Sequence, residues 1–190
     1  MATISREVHL IEYPEGLPDA SQFQIVETTV DDPATGEFLI QNQYMSVDPA
    51  MRPRLSNGQQ RLHQAMGAGT IGVVTASRHS AFAEGDVVQH GLGFREHVLS
   101  DGRGVNHLDA AGLSPTLYMH VLGPTGFTAW GGMLITGELK DGENVFVSAA
   151  AGAVGSVAAQ IARIKGCYVI GSAGSAEKCE WLENELGLDV

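Results

Sequence analysis

The stretch NVFVSAAAGAVGSVAAQIARIKGCYVIGS, residues 144–172, constrains this chain more than any other part of it. An apolar run at Val145–Val147 leads into a turn of small residues, Ala149–Gly155, and then into an Ala/Ile-rich segment. There Val157, Ile161 and Ile164 recur at helical spacing, and Ala158 and Ala162 are small enough to let a helix lie close on a sheet. A second apolar run follows at Tyr168–Ile170. Strand, small-residue turn, helix, strand is the βαβ order that binds dinucleotides. Backbone N–H groups in the turn and the positive end of the helix both face the pyrophosphate. Gly152 and Gly155 occupy the last two glycine positions of G-x-G-x-x-G, while Ala150 stands at the first. The candidate phosphate-binding residues are therefore Gly152, Ala153, Val154 and Gly155. A buried βα turn with small residues for packing alone would carry the same letters.

Upstream the pattern is different. Strand-like runs around Glu7–Ile11, Phe23–Val30, Glu37–Val47, Met66–Thr75, Val87–Gln89 and Phe94–Leu99 are separated by turns such as Asp31–Gly36 and Ala83–Asp86. Little helical periodicity interrupts them, so an all-β, barrel-like module is expected. Residues 52–64, RPRLSNGQQRLHQ, read as an exposed polar loop. Residues 114–137 read as one or two helices broken at Gly123-Pro124. Gly166 reads as a helix cap, and Ser175 as the N-cap of a last helix running through Trp181, Leu182 and Leu186. The expected fold class is α/β with an all-β N-terminal module. Residues 1–122 form the barrel, and residues 123–190 the first βαβ part of a doubly wound nucleotide domain. Two strands of the roughly six in such a sheet are expected here, so that domain reads as truncated. Apolar faces around Val145–Val147 and Tyr168–Ile170 are then left open.

Composition narrows the function classes. At 190 residues, 44% hydrophobic and 17% charged, the chain has the make-up of a globular protein with a real core. A formal net charge of −11, without a Lys/Arg cluster, argues against nucleic acid or an anionic membrane as partner. Arg6, Glu7 and Glu12 interrupt the N-terminus before a signal-like apolar run forms. The longest small-apolar run, Ala149–Ala159, is about half of the roughly 20 residues a membrane span needs. Cys167 and Cys179 make no disulfide framework, and the cytoplasm is the expected compartment.

Three motifs then carry a family resemblance across essentially the whole chain. Asn42-Gln43-Tyr44-Met45-Ser46-Val47-Asp48-Pro49-Ala50-Met51-Arg52 resembles an N-x-Y-L-S-x-D-P-Y-M-R signature. Leu122-Gly123-Pro124-Thr125-Gly126-Phe127-Thr128-Ala129-Trp130 is similar to an L-G-x-P-G-x-T-A-Y segment, and Ser148–Ser156 resembles the turn of the same proteins. These belong to the medium-chain dehydrogenase/reductase superfamily, in its zinc-independent, NADPH-dependent alkenal, prostaglandin and curcumin reductase branch. The resemblance implies a GroES-like barrel followed by a Rossmann domain. It also implies reduction of the C=C bond of an α,β-unsaturated aldehyde or ketone, and a homodimeric full-length form. Ala50 replaces an aromatic residue of the branch, and His97 stands where it usually has tyrosine. The tyrosine that contacts the enone oxygen would lie beyond residue 190, so no catalytic residue is named. The 190-residue chain alone is expected to associate and to be inactive.

Metal and cofactor chemistry follow from residue type. Zinc enzymes of the superfamily carry Cys and Gly-His-Glu where this chain has Met45 and Gly67-Ala68-Gly69, and no four-cysteine lobe is present. The seven histidines have no ligand spacing, so no metal is expected. No G-x-S-x-G elbow points to hydrolysis. An NAD site would put an acid roughly 20 residues past the glycine turn, near Ser172, and Ile170–Ser175 contains none. By resemblance, Lys178 contacts the 2′-phosphate of NADPH; a solvated cation at a helix start is the other reading. Thr128 reads equally as a nicotinamide contact or a helix-packing hydroxyl. A quinone reductase of the same superfamily and a non-catalytic NADPH-binding protein remain as alternative functions.

Overall fold

The computed structural model describes residues 2–188. The chain divides into two compact units, Met1–Pro115 and Thr116–Val190, so the expected division at 122/123 falls inside the second.

In the first unit, β1 (Thr3–Leu10) and β2 (Phe23–Val30) pair antiparallel from Thr3 opposite Val30 to Leu10 opposite Phe23. Five further strands form an antiparallel sheet: β3 (Phe38–Met45), β4 (Thr70–Ser77), β5 (Val87–His90), β6 (His97–Ser100) and β7 (Asn106–His107). Their order is β6-β3-β4-β5-β7. Bridges from Glu7 to Arg95 and from His9 to Ala65 join the hairpin to this sheet region. Phe38, Leu39 and Ile40 are all buried: Phe38 and Ile40 share one core, and Leu39 between them is not part of it, as on a strand covered on both faces. The register of β3 against β4 shifts between Leu39 and Ile40, a bulge in the ladder. Phe38 and Ile40 meet Val74, Val88 and Val98 in the main core, each large side chain contributing about 1.5–3 kcal/mol by burial. Leu10, Leu55 and Met66 form a separate small core.

Residues 52–64 depart from the expected loop. Their start belongs to a short helix, α1 (Met51–Ser56), with Leu55 buried. Pro53 is tolerated because it sits in the first turn, where N–H groups have no intrahelical partner.

The second unit holds the βαβ motif. Helix α2 (Pro124–Trp130) starts with Pro at its first position and continues as a π-helical turn, Gly131–Thr136. The N–H of Gly137 donates to the carbonyl of Gly132, the wide i→i+5 spacing of that turn. Strands β8 (Asn144–Val147) and β9 (Tyr168–Gly171) are parallel, joined by α3 (Ala153–Ile164). One face of the pair, Val145, Val147, Val169 and Gly171, packs on α3 with Val157, Ala158 and Ala162. The other face leaves Phe146 67%, Tyr168 53% and Ile170 38% exposed. Lys165 ends α3 and Gly166 follows at φ 71°, the left-handed position a glycine favours. Helix α4 (Ala176–Asn184) is capped by Ser175, whose side chain accepts from the Lys178 N–H. No described helix is long and apolar enough to cross a membrane.

Candidate functional site

The turn between β8 and α3 is built from backbone first. Ala149 takes a left-handed conformation at φ 50°, and its carbonyl accepts from Gly152 N–H at 2.8 Å. The next residue is anchored to the far strand: Ala150 N–H donates to Ser172 O at 2.9 Å, and Ser172 N–H donates to Val147 O at 3.0 Å. Gly152 is the N-cap of α3 in an extended conformation, and its carbonyl accepts from Ser156 N–H at 2.9 Å. The amides of Ala153, Val154 and Gly155 therefore lie ahead of the intrahelical ladder, at the positive end of a twelve-residue helix.

The two glycines differ in what they allow. A Cβ on Gly155 would stand 2.9 Å from Ala150 Cα and closer still to the Ala149 carbonyl oxygen, both backbone. A Cβ on Gly152 would meet only Ala149 O, at 3.1 Å. Gly155 thus permits the close approach of helix to turn, and Gly152 keeps the turn's outer surface bare. Ala150, at the first fingerprint position, is 0% exposed. Its methyl fits because β9 ends in Gly171, where an added Cβ would come within 2.9 Å of it. Sequence reasoning missed Gly171; a glycine ending the strand after the fingerprint helix was the available signal. The turn borders a groove of about 410 Å³ lined by Met133, Phe146, Ser148, Gly152 and Val154 among others.

Gly152, Ala153, Val154 and Gly155 come together as one continuous surface. Lys178 lies on a separate element, α4, as its third residue, and is exposed. The carbonyl of Ser172 that receives Ala150 N–H ties the turn to the loop leading to α4. Thr128 Oγ1 donates to Pro124 O at 2.7 Å, within its own helix. Among the described residues no three or more His, Cys, Asp or Glu side chains are grouped to hold a metal ion. Met45 ends β3 and Ala68 is buried.

The barrel unit has its own polar knot. His90 is buried; its Nε2 bonds Asn42 Oδ1 at 3.0 Å, and its Nδ1 accepts from Leu92 N–H at 3.1 Å. An Nδ1 that accepts must be unprotonated, so Nε2 carries the proton and the ring is neutral. Burial, helped by nearby Arg95, pulls its pKa down to about 4. Asn42 Nδ2 donates in turn to Arg95 O at 2.8 Å. At the edge, the Arg6 guanidinium hydrogen-bonds Glu96 and holds that carboxyl at about 2. Beside α1 lies an apolar cavity of about 330 Å³.

Residues 6–108 match the family model described as the N-terminal domain of oxidoreductase. The chain is 37% identical over 186 residues to the NADPH-dependent curcumin reductase of Escherichia coli (strain K12), covering 95% of this chain and 54% of that protein. It is 41% identical over 182 residues to prostaglandin reductase 1 of Rattus norvegicus, covering 93% and 54%. A solved structure of CurA in complex with NADPH from Vibrio vulnificus superposes with a TM-score of 0.88 at 37% identity, over 97% of this chain and 56% of that one. The chain thus spans a little over half the length of the relatives it matches. Relatives of this kind are curcumin and prostaglandin reductases, and the chain itself belongs to the family of N-terminal oxidoreductase domains, in the medium-chain dehydrogenase/reductase superfamily.

Proposed function

We propose that this chain supplies the barrel unit and the phosphate-binding turn of an NADPH-dependent reductase acting on the C=C bond of α,β-unsaturated aldehydes and ketones. The observation that carries the proposal is the pair of unlike glycines. Gly155 is required for packing, whereas Gly152 is spared a side chain on an open surface above free amides. A bare turn at a helix N-terminus is what a pyrophosphate needs, and the residues present fit the group. The amides of Ala153, Val154 and Gly155 donate to it, and the α3 dipole favours its charge.

Lys178 meets the 2′-phosphate in this reading. The segment from Ile170 to Ser175 holds no carboxylate, so nothing there repels that phosphate or claims the ribose hydroxyls as an NAD site would. When bound, NADPH supplies the hydride that adds to the substrate's β-carbon, the α-carbon then taking a proton. No zinc takes part, since Met45 and Ala68 stand at the positions where zinc enzymes of the superfamily hold ligands. In this reading the whole protein is cytoplasmic, as its N-terminus and two cysteines suggest, and a homodimer by resemblance to the family. The test is oxidation of NADPH by the protein carrying this chain, with a short enal, a quinone or no acceptor. Turnover with the enal and not the quinone supports the reading. Preference for the quinone points to a quinone reductase, and NADPH binding without turnover of either to a non-catalytic role.

A further inference from the structure

One asparagine of this chain, Asn57, precedes a glycine. It ends α1 in an exposed turn, its N–H donating to Pro53 O, and Gly58 follows at φ 77°. Space beside Gly58 is open, with no heavy atom within 4 Å of where a Cβ would stand. The Asn57 side chain is held as well as exposed: its Oδ1 accepts from Gln59 N–H at 3.0 Å. That bond folds the side chain back along the main chain and polarises its carbonyl. The other asparagines lack this combination. Asn42 in β3 is bonded through both ends of its amide, to His90 and to Arg95 O. Asn106, Asn144 and Asn184 lie in β7, β8 and α4, followed by His107, Val145 and Glu185.

We propose that Asn57 is a modification site, where the chain deamidates itself and forms isoaspartate. The Gly58 nitrogen gives its proton to hydroxide and attacks Asn57 Cγ, a reaction helped by the proximity of the two groups. The new N–Cγ bond closes a succinimide, the Cγ–Nδ2 bond breaks, and ammonia leaves with a proton taken from water. Negative charge gathers on Oδ1 during the attack, where Gln59 N–H already donates. Water then opens the ring. Opening at Cγ leaves aspartate; opening at the main-chain carbonyl leaves isoaspartate, whose backbone runs through Cβ and Cγ and is one atom longer. The extra atom falls just ahead of a clamp. Gln60 N–H donates to Arg54 O at 3.0 Å, its Nε2 to Arg61 O at 3.1 Å, and its Oε1 accepts from Gly67 N–H at 3.3 Å. Lengthening the chain at residue 57 pulls Gln60 off these partners, so residues 57–67 loosen behind α1, which Leu55 keeps anchored. None of this depends on the reductase reading.

The experiment ages the folded 190-residue chain at mildly alkaline pH, beside a synthetic LSNGQQR peptide. Mass spectrometry then follows the tryptic fragment 55–61, which carries that sequence. The mass gain of an amide turned acid is expected at Asn57, with the folded chain within about threefold of the free peptide because the turn is open. The rate should rise about tenfold per pH unit, as the deprotonated fraction of a weakly acidic amide does. Asn57→Gln should abolish the gain. Gly58→Ala, with circular dichroism unchanged, should slow it about tenfold by adding a methyl beside the attacking nitrogen. Asp101-Gly102 and Asp141-Gly142 can close the same ring, but without a change of mass and in other fragments. Methyl transfer by an isoaspartyl methyltransferase counts the isoaspartate in fragment 55–61. Brief native trypsin should cut after Arg61 several-fold faster in the aged chain than in the fresh parent or fresh Asn57→Asp, which adds the charge without lengthening the backbone. No mass gain at Asn57, a folded rate more than about tenfold below the peptide's, or a gain that survives Gly58→Ala undiminished overturns the site. Equal cleavage of aged chain and Asn57→Asp overturns the loosening.

Discussion

Replacing Gly155 and Gly152 by alanine in turn should separate packing from cofactor binding. In Gly155→Ala the new methyl stands 2.9 Å from Ala150 Cα and 3.0 Å from the Ala149 carbonyl carbon, against the roughly 3.5–4.0 Å at which carbon atoms rest. Neither neighbour can yield easily, because Ala150 is fully buried and hydrogen-bonded to Ser172. Overpacking of this kind costs about 1–3 kcal/mol. Removing a helical glycine returns about 0.5–1 kcal/mol, so the net loss spans about 0–2.5 kcal/mol, and the still closer approach to the Ala149 oxygen puts it in the upper half of that range. In Gly152→Ala only the Ala149 oxygen is near, at 3.1 Å, and φ −81° suits alanine, so the loss should stay at or below about 1 kcal/mol, the cost of alanine in place of glycine at an N-cap. That methyl does stand over the amides offered to the pyrophosphate, so NADPH affinity should fall about tenfold or more, a loss of ~1.4 kcal/mol. The two tryptophans, Trp130 and Trp181, both lie in the second unit, so their fluorescence during urea unfolding follows that unit alone. The reasoning is refuted if Gly155→Ala unfolds at the parent urea midpoint, or if Gly152→Ala is the less stable of the two.

Lys178→Ala should weaken NADPH by about 1.5–3 kcal/mol, one charge-assisted phosphate contact, and leave NADH nearly unchanged; equal weakening of both in a binding titration sinks the assignment. Gly171→Ala should destabilise the second unit by about 1–3 kcal/mol through its clash with Ala150, and Ala150→Gly in the same chain should recover part of the loss in urea unfolding. His90 has its folded pKa lowered to about 4, so its contribution is whole above its ordinary 6.5 and is lost as pH falls toward 4. Over that window the barrel unit should lose about 2–3 kcal/mol, read by amide exchange at Asn42, and His90→Gln should flatten the loss.

What was legible in the sequence was local. The run Phe23–Val30, ended by Asp-Asp-Pro, is β2 to the residue, and Ser175 caps α4 as its side chain and position imply. The strand–turn–helix–strand order around Gly152 needs no tertiary knowledge. Helix α1 was hidden because Pro53 and a polar composition mask a single turn whose reason for being is the burial of Leu55. Strand β7 is two residues long and exists only because Val88 and Gln89 pair with it. The Asn42–His90 bond joins residues 48 apart and leaves no local trace, whereas Gly171, which makes room for Ala150 across a parallel pair, was visible only as a glycine ending the second strand. Lys178 was singled out by the family resemblance, since Glu177 is the first charge after the acid-free segment, and the fold sets it near the N-terminus of α4.

The central claim is that the Gly152–Gly155 turn binds the cofactor phosphates. Titrating NADPH into the isotopically labelled chain while following its backbone amide resonances tests it directly. The account predicts saturable shifts concentrated at Ala153, Val154 and Gly155, with smaller ones near Lys178, all reduced in Gly152→Ala. Shifts absent from the turn, or unchanged in Gly152→Ala, would contradict it.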